Sequence, residues 1–183
     1  MKKLLAFFII LCSISACTKT EKFTLYVFDD KWTTDAIDDH WKHFSKDTEF
    51  LLKNPTYEVK RVNDPESAQI DSKLEYLKLA IKYPNGFLLV DSFNIESNPN
   101  AIGMAFLGVS PAIAFSNYHT VFAHEYGHHL GLLHTNKNRC NYMYPILSRQ
   151  CDWFWTTNQM MIMKGVRHIG IQDAKNQRIF MCQ

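Results

Sequence analysis

Hydrophobic and polar positions change period several times along this chain, and each change marks an element. Phe23 to Phe28 alternates and is rich in β-branched and aromatic residues, which predicts a strand. From about Thr34 to Lys53 the apolar positions Ile37, Trp41, Phe44 and Leu51 share one helical face, and Asn54-Pro55 ends the pattern. Tyr57 to Val62 reads as a second strand. Asp64-Pro65-Glu66 then opens a helix whose stripe is Ile70, Leu74, Leu77 and Ile81. Past the turn Tyr83-Pro84-Asn85-Gly86, the solid apolar run Phe87 to Val90 predicts a strand buried on both faces. Gly103–Leu107 and Ala112–Phe115 predict two short strands separated by Gly108 and Pro111. Tyr118 to Leu130 is helical in pattern with Gly131 as its stop, and a last helix spans about Thr157 to His168. Strands alternating with helices imply an α/β fold. The sheet is expected to be mixed, with about five strands, because the last connections are too short for parallel crossovers.

Composition narrows the class. The 183 residues are 46% hydrophobic, 14% aromatic and 21% charged, with seven glycines and six prolines, which excludes a disordered tail, a collagenous repeat and a polytopic membrane protein. The first residues read as a targeting segment: Met1-Lys2-Lys3 is a positive n-region, and Leu4 to Leu11 is an apolar run too short for the ~20 residues a membrane span needs. Ile14-Ser15-Ala16-Cys17 resembles the lipobox of bacterial lipoproteins, in which the signal is cut before the cysteine and its sulfur is acylated. That resemblance implies a signal over residues 1–16 and a lipidated tether over 17–22, followed by one domain over 23–183. It also implies a bilayer partner through Cys17 and a place in the bacterial cell envelope, at the outer membrane or cell surface. Two or more acyl chains are needed for a stable anchor. The formal charge is +2, and loss of Lys2 and Lys3 with the signal brings it to zero, so no basic field is left to collect nucleic acid. Cys140, Cys151 and Cys182 remain after the signal and the lipid site are set aside. Cys140 and Cys151 are near enough in sequence to close a small loop in an oxidising compartment, the alternative being three free or buried thiols.

The segment His124-Glu125-Tyr126-Gly127-His128-His129-Leu130-Gly131-Leu132-Leu133-His134 carries the chemistry. Histidines four apart on a helix share one face and can share a metal. Glu125 sits beside that face, within reach of a water at the metal. Gly131 can take the left-handed conformation that turns the chain back, bringing His134 in as a third imidazole. Three neutral nitrogens leave a fourth position open, the layout of a catalytic zinc site. His129, about 140° round the helix from His124, points away, and His119 ahead of the motif is read as a helix-start residue.

This motif resembles the metzincin clan of zinc metallopeptidases, with the signature H-E-x-x-H-x-x-G-x-x-H followed by a Met-turn. The second half matches Asn141-Tyr142-Met143-Tyr144-Pro145, similar to the matrixin form of the turn. The resemblance implies one Zn2+ held by His124, His128 and His134, Glu125 as general base, and Met143 as a hydrophobic floor. It also implies a protein or peptide substrate and a monomer. Ile102 to Gly108 resembles the substrate-binding edge strand of adamalysin-like members, so Gly103, Met104, Ala105, Phe106 and Leu107 are expected to pair with substrate backbone. Pro145, Ile146 and Leu147 are expected to shape the pocket beyond the cleaved bond. Two other readings stand beside the endopeptidase. One is a zinc-containing lipoprotein that binds peptides or surfaces without cutting them. The other is a structural zinc site that would need Cys140 as fourth ligand.

Overall fold

The computed structural model describes residues 21–64, 68–84, 86–106, 109–114, 119–146, 151–169 and 179–182. The expected signal, Cys17, Leu107 and Leu147 lie outside them. Among the described residues, eight strands and four helices follow in the order β1 (Lys22–Val27), α1 (Thr34–Asp47), β2 (Thr56–Arg61), β3 (Gln69–Ile70), α2 (Lys73–Lys82), β4 (Gly86–Leu89), β5 (Ser92–Phe93), β6 (Gly103–Phe106), β7 (Val109–Ala114), α3 (Thr120–His129), α4 (Thr157–Ile169) and β8 (Ile179–Cys182). The main sheet runs β2-β1-β4-β7-β6-β8, and β3 pairs with β5 as a separate parallel ribbon. β2, β1, β4 and β7 are parallel neighbours, whereas β6 is antiparallel to both β7 and β8. The sheet is therefore mixed, as its short late connections require.

Side-chain alternation in β1 and β4 sorts the core into two layers. Phe23, Leu25, Val27, Phe87 and Leu89 face a cluster that takes in α1 through Ile37, Trp41 and Phe44, and α3 through Val121, Phe122 and Tyr126. Phe28, Leu88 and Val90 face the other way, onto Tyr76, Leu79 and Ala80 of α2. Both faces of β4 are covered, which is why its sequence is an unbroken apolar run. Phe44 joins the first layer together: its ring meets Phe23 edge-on at 5.7 Å, Phe87 at 5.6 Å and Tyr126 at 5.4 Å.

Several boundaries differ from the sequence expectations, each for a local reason. α1 stops at Asp47 rather than Lys53, because the buried Thr48 hydroxyl bonds back to the Phe44 carbonyl at 2.7 Å and its N–H reaches the same oxygen. Leu51 and Leu52 are buried, but from a turn. The helix expected from Asp64 begins at Lys73: Ser72 caps Glu75 N–H at 3.1 Å and Glu75 returns a bond to Asp71 N–H, a capping box shifted by one residue. Its buried side is Tyr76, Leu79 and Ala80, while Leu74 and Ile81 of the expected stripe are 61% and 72% exposed. Ile70 belongs to β3 instead. Pro111 lies within β7 rather than before it. The β6–β7 register shifts between Ala105 and Phe106, leaving the residue without an N–H where the ladder is broken. The sheet has six strands where about five were expected, the addition being β8. No helix among the described residues is long and apolar enough to cross a membrane.

Because Phe44 bridges β1, β4 and α3, Phe44→Ala is expected to lower unfolding free energy by about 3–5 kcal/mol. Urea denaturation followed by tryptophan fluorescence measures this, and a loss below about 1 kcal/mol would remove Phe44 from the centre of the core.

Candidate metal centre

α3 is buried almost all round: every residue from Thr120 to His128 is in the interior, so the helix sits between the sheet and the segments that follow it. It packs on β7 and β6 below and on α1 beside it. Leu130 caps its end, and Gly131 has φ 90°, the left-handed value a glycine adopts without strain. Gly131 N–H bonds His128 O and Leu132 N–H bonds Gly127 O, both at 2.9 Å, which is the Schellman pattern. That turn reverses the chain so that His134 returns to the helix.

The three imidazoles converge. Their Nε2 atoms are 3.0 Å apart for His124–His128, 3.2 Å for His124–His134 and 3.1 Å for His128–His134. Two of the rings have fixed tautomers. His124 Nδ1 meets the Tyr142 carbonyl and His128 Nδ1 the Leu132 carbonyl, and a carbonyl only accepts, so each Nδ1 carries the proton. The two Nε2 lone pairs therefore point at each other with no proton between them, an arrangement that calls for a cation. Tetrahedral zinc ligands at about 2.0–2.1 Å stand about 3.3–3.4 Å apart, close to what is seen, and three such nitrogens leave a fourth position free. No other group of three His, Cys, Asp or Glu side chains among the described residues has ligand atoms this close. Burial lowers all three histidine pKa values from the ordinary 6.5, with crowding by the other rings adding to it at His124 and His128; that of His124 falls to about 3.

Met143 lies fully buried beneath this helix. Its sulfur would be 2.5 Å from a Cβ at Gly127, and the Trp155 ring 3.0 Å, so the mid-helix glycine is what lets both side chains pack against the helix. Asn141 shapes the turn. Its Oδ1 accepts Met143 N–H at 2.9 Å, and its amide exchanges bonds of 2.8 and 2.9 Å with Gln159 at the start of α4. Thr156 and Gln159 bond each other reciprocally as the capping box of α4, so the helix start and the methionine turn are one unit. Thr135 N–H to Met143 O, at 2.8 Å, ties the turn to the chain just past His134.

The remaining expectations sort plainly. Glu125 is fully buried, next to His124 on α3. His129 is turned aside and stacks on Tyr126. His119 is the N-cap position of α3 and stacks on His43 with centroids 3.8 Å apart. Cys140 and Cys151 are joined as a disulfide, so Cys140 has no thiolate to offer as a fourth ligand. Pro145 is half-buried and Ile146 is 57% exposed. In the apolar runs Trp153–Trp155 and Met160–Met163, Met163 is interior, whereas Phe154, Met161 and Ile162 are exposed. The edge-strand expectation for Gly103 to Leu107 needs correction. Gly103, Met104, Ala105 and Phe106 pair with β7 on one side and with Cys182, Met181, Phe180 and Ile179 on the other, so both ladders of β6 are filled. Sequence reasoning missed the two carbonyls that orient the histidines, since a backbone acceptor leaves no residue-type signal. It also missed Gly127, whose signal was a glycine in the middle of a helix.

Metal-free protein keeps these histidines neutral while an unfolded chain protonates them near pH 6.5. A lowered native pKa therefore gives stability that is present above 6.5 and lost as pH falls. The urea midpoint of chelator-treated protein is expected to drop between pH 7 and pH 5, and the drop to shrink in His128→Gln. An equal drop in the variant would show that the buried rings are not its source.

Three solved structures share the fold. Metalloproteinase-II from Bacteroides fragilis superposes with a TM-score of 0.63 at 19% identity, over 81% of this chain and 53% of that one. The chain thus spans about half the length of that protein. A zinc-dependent peptidase from Methanocorpusculum labreanum gives a TM-score of 0.53 at 16% identity, covering 76% of this chain and 99% of that one. Archaemetzincin from Methanopyrus kandleri gives 0.51 at 17%, covering 79% and 86%. No curated protein matches the sequence at a significant level. The matrixin family model matches residues 19–159, a span that holds the three histidines, the glycine bend, the methionine turn and the Asn141–Gln159 amide pair, and the chain belongs to the matrixin family.

Proposed function

We propose that this protein is a zinc-dependent endopeptidase, tethered to a bacterial membrane through acylated Cys17, with protein or peptide substrates. One observation carries the catalytic part: three converging, neutral imidazole nitrogens with a carboxylate, Glu125, as the next residue after the first of them. Zinc, when bound there, supplies Lewis acidity toward a scissile carbonyl and acidifies a water. Glu125 takes the proton of the attacking water on its carboxylate and delivers it to the departing amine nitrogen. The Nδ1–H bonds to Tyr142 and Leu132 hold the rings of His124 and His128 in the ligating tautomer throughout. Nothing in this scheme needs a covalent enzyme intermediate. A purely peptide-binding role would leave the general base without a use. The tether rests on the sequence around Cys17 alone.

The expected outcome for Glu125→Ala is unchanged zinc stoichiometry with turnover of an unstructured protein such as casein reduced about 10²–10⁴-fold. Substantial cleavage by the variant, with the chelator-treated wild type as blank, would remove Glu125 from the mechanism. Strand β8 bears on substrate entry. A peptide pairing with β6 meets a ladder already filled by Ile179–Cys182. Deleting residues 170–183 is therefore expected to lower KM for long peptides several-fold with kcat little changed. An unchanged KM would mean that peptides reach the metal without pairing with β6.

A further inference from the structure

α2 turns apolar residues outward as well as inward. Tyr76, Leu79 and Ala80 face the core, yet Leu74 and Ile81 stand exposed on the opposite side, with Leu77 half-buried beside them. At about 100° per residue these three lie within about 60° of one another, with Lys78 and Lys82 along one flank and Lys73 along the other. All three lysines are exposed, and Glu75, the one acid of the helix, is engaged in capping its start. An outward apolar stripe between lysines is the pattern of a helix lying at the boundary of a lipid bilayer: the apolar side chains leave water while the amines stay among the headgroups. A helix that only faces water carries polar residues there instead.

The tether sets how near a bilayer is. Glu21 is already fixed in the fold, its carbonyl accepting Thr56 N–H at 2.9 Å. Four residue steps therefore separate Cys17 from the domain, a reach of about 14 Å. A domain of this size has a radius of gyration of about 15 Å, so one of its faces is held against the surface that anchors Cys17. The tether enters at the start of β1, and α2 ends at that same edge of the sheet. Gly86, four residues past Lys82, is the register partner of Thr24, and the Tyr83 ring packs on Tyr26 with centroids 5.0 Å apart. α1, on the other face of the sheet, exposes Asp35, Asp38 and Asp39 against Lys42 and Lys46, and none of its large apolar residues is exposed.

We propose that the outer face of α2 is a contact surface for an anionic bilayer, with Leu74, Leu77 and Ile81 at the headgroup–acyl boundary and Lys73, Lys78 and Lys82 on the lipid phosphates. The acyl chains and this face together fix how the domain lies on the membrane. α3 packs on the other side of the sheet, through Val121, Phe122 and Tyr126, whereas α2 packs on this one. The sheet thus stands between the bilayer and the helix that carries His124 and His128, and the metal centre is turned toward solvent. This inference rests on the tether proposed above, which brings the bilayer within reach.

Lysine acetylation by a membrane-impermeant reagent, read by mass spectrometry, tests this on protein purified from the membranes of a bacterium expressing the full chain. The protein is bound to vesicles of phosphatidylglycerol and phosphatidylethanolamine, or to vesicles of phosphatidylcholine. A lysine near an anionic surface contributes about fivefold in binding. Lys73, Lys78 and Lys82 are accordingly expected to react about fivefold more slowly, or slower still, on the anionic vesicles, with Lys42, Lys46 and Lys137 unchanged. In Leu74→Ser/Ile81→Ser, at two exposed positions, that slowing is expected to vanish while the urea midpoint and flotation with the vesicles stay as in wild type. Equal slowing of the α1 and α2 lysines would mean a domain with no preferred face, and overturns the proposal. So does slowing at Lys164, beside the exposed Met161 and Ile162 of α4, in place of the α2 lysines. Slowing that needs no vesicles and grows with protein concentration assigns the face to a second copy instead. An intact mass without acyl chains on Cys17 sinks the tether; the labelling pattern of that same protein on anionic vesicles then decides α2 by itself.

Discussion

Three imidazole nitrogens face one another about 3.1 Å apart inside a protein, and the rest of the structure is arranged so that they stay there uncharged. Lone pairs that close repel, and imidazolium ions that close would repel far more. Burial solves half of this by keeping protons off the rings, and the carbonyls of Tyr142 and Leu132 solve the other half by claiming the Nδ1–H protons. What remains is a concentrated set of donors that a divalent cation satisfies. The arrangement has to be held open by the fold before a metal arrives, and the α3 helix, buried along nearly all its length, is the means.

Holding that helix needs the frame around it. The sheet sends the aromatic and aliphatic side chains of β1 and β4 toward α1 and α3 together, so the helix with the metal ligands and the helix ending at Asp47 share one core. Phe44, Phe122 and Tyr126 interlock there, which couples the position of the ligands to the packing of a helix distant in sequence. On the far side, the unit built from Asn141, Gln159 and Met143 closes over Gly127. The disulfide between Cys140 and Cys151 fastens the chain on either side of the methionine turn. The floor of the centre is thus held covalently, by side-chain amides and by packing at once.

Sheet order gives the molecule a further property. In a mixed sheet whose last internal strand is antiparallel, the free ladder of β6 would be the natural place for an extended peptide. Here the chain's own β8 fills it, with a full four-residue register. An edge satisfied by the same chain cannot recruit a second strand without losing the first.

Features set by short-range spacing were legible from the residues alone. The four-residue interval of His124 and His128, the bend at Gly131, the strand periods of β1 and β4, and the start of α4 near Thr157 all follow from local geometry, which repeats the same way in any protein. Ends of elements were less legible. Thr48 and Ser72 decided where α1 stopped and α2 began, through hydrogen bonds that compete closely with the alternatives. Which partners meet across the chain was settled by the packing of distant elements. The Tyr142 and Leu132 carbonyls and the occupancy of the β6 ladder have no signature in residue type, because a backbone group is common to all residues; Asp47 is hidden for another reason. An acidic side chain at the end of an amphipathic helix reads as an ordinary solvated one. Its burial beside Trp155, 108 positions onward, comes from the packing of elements and not from any local preference.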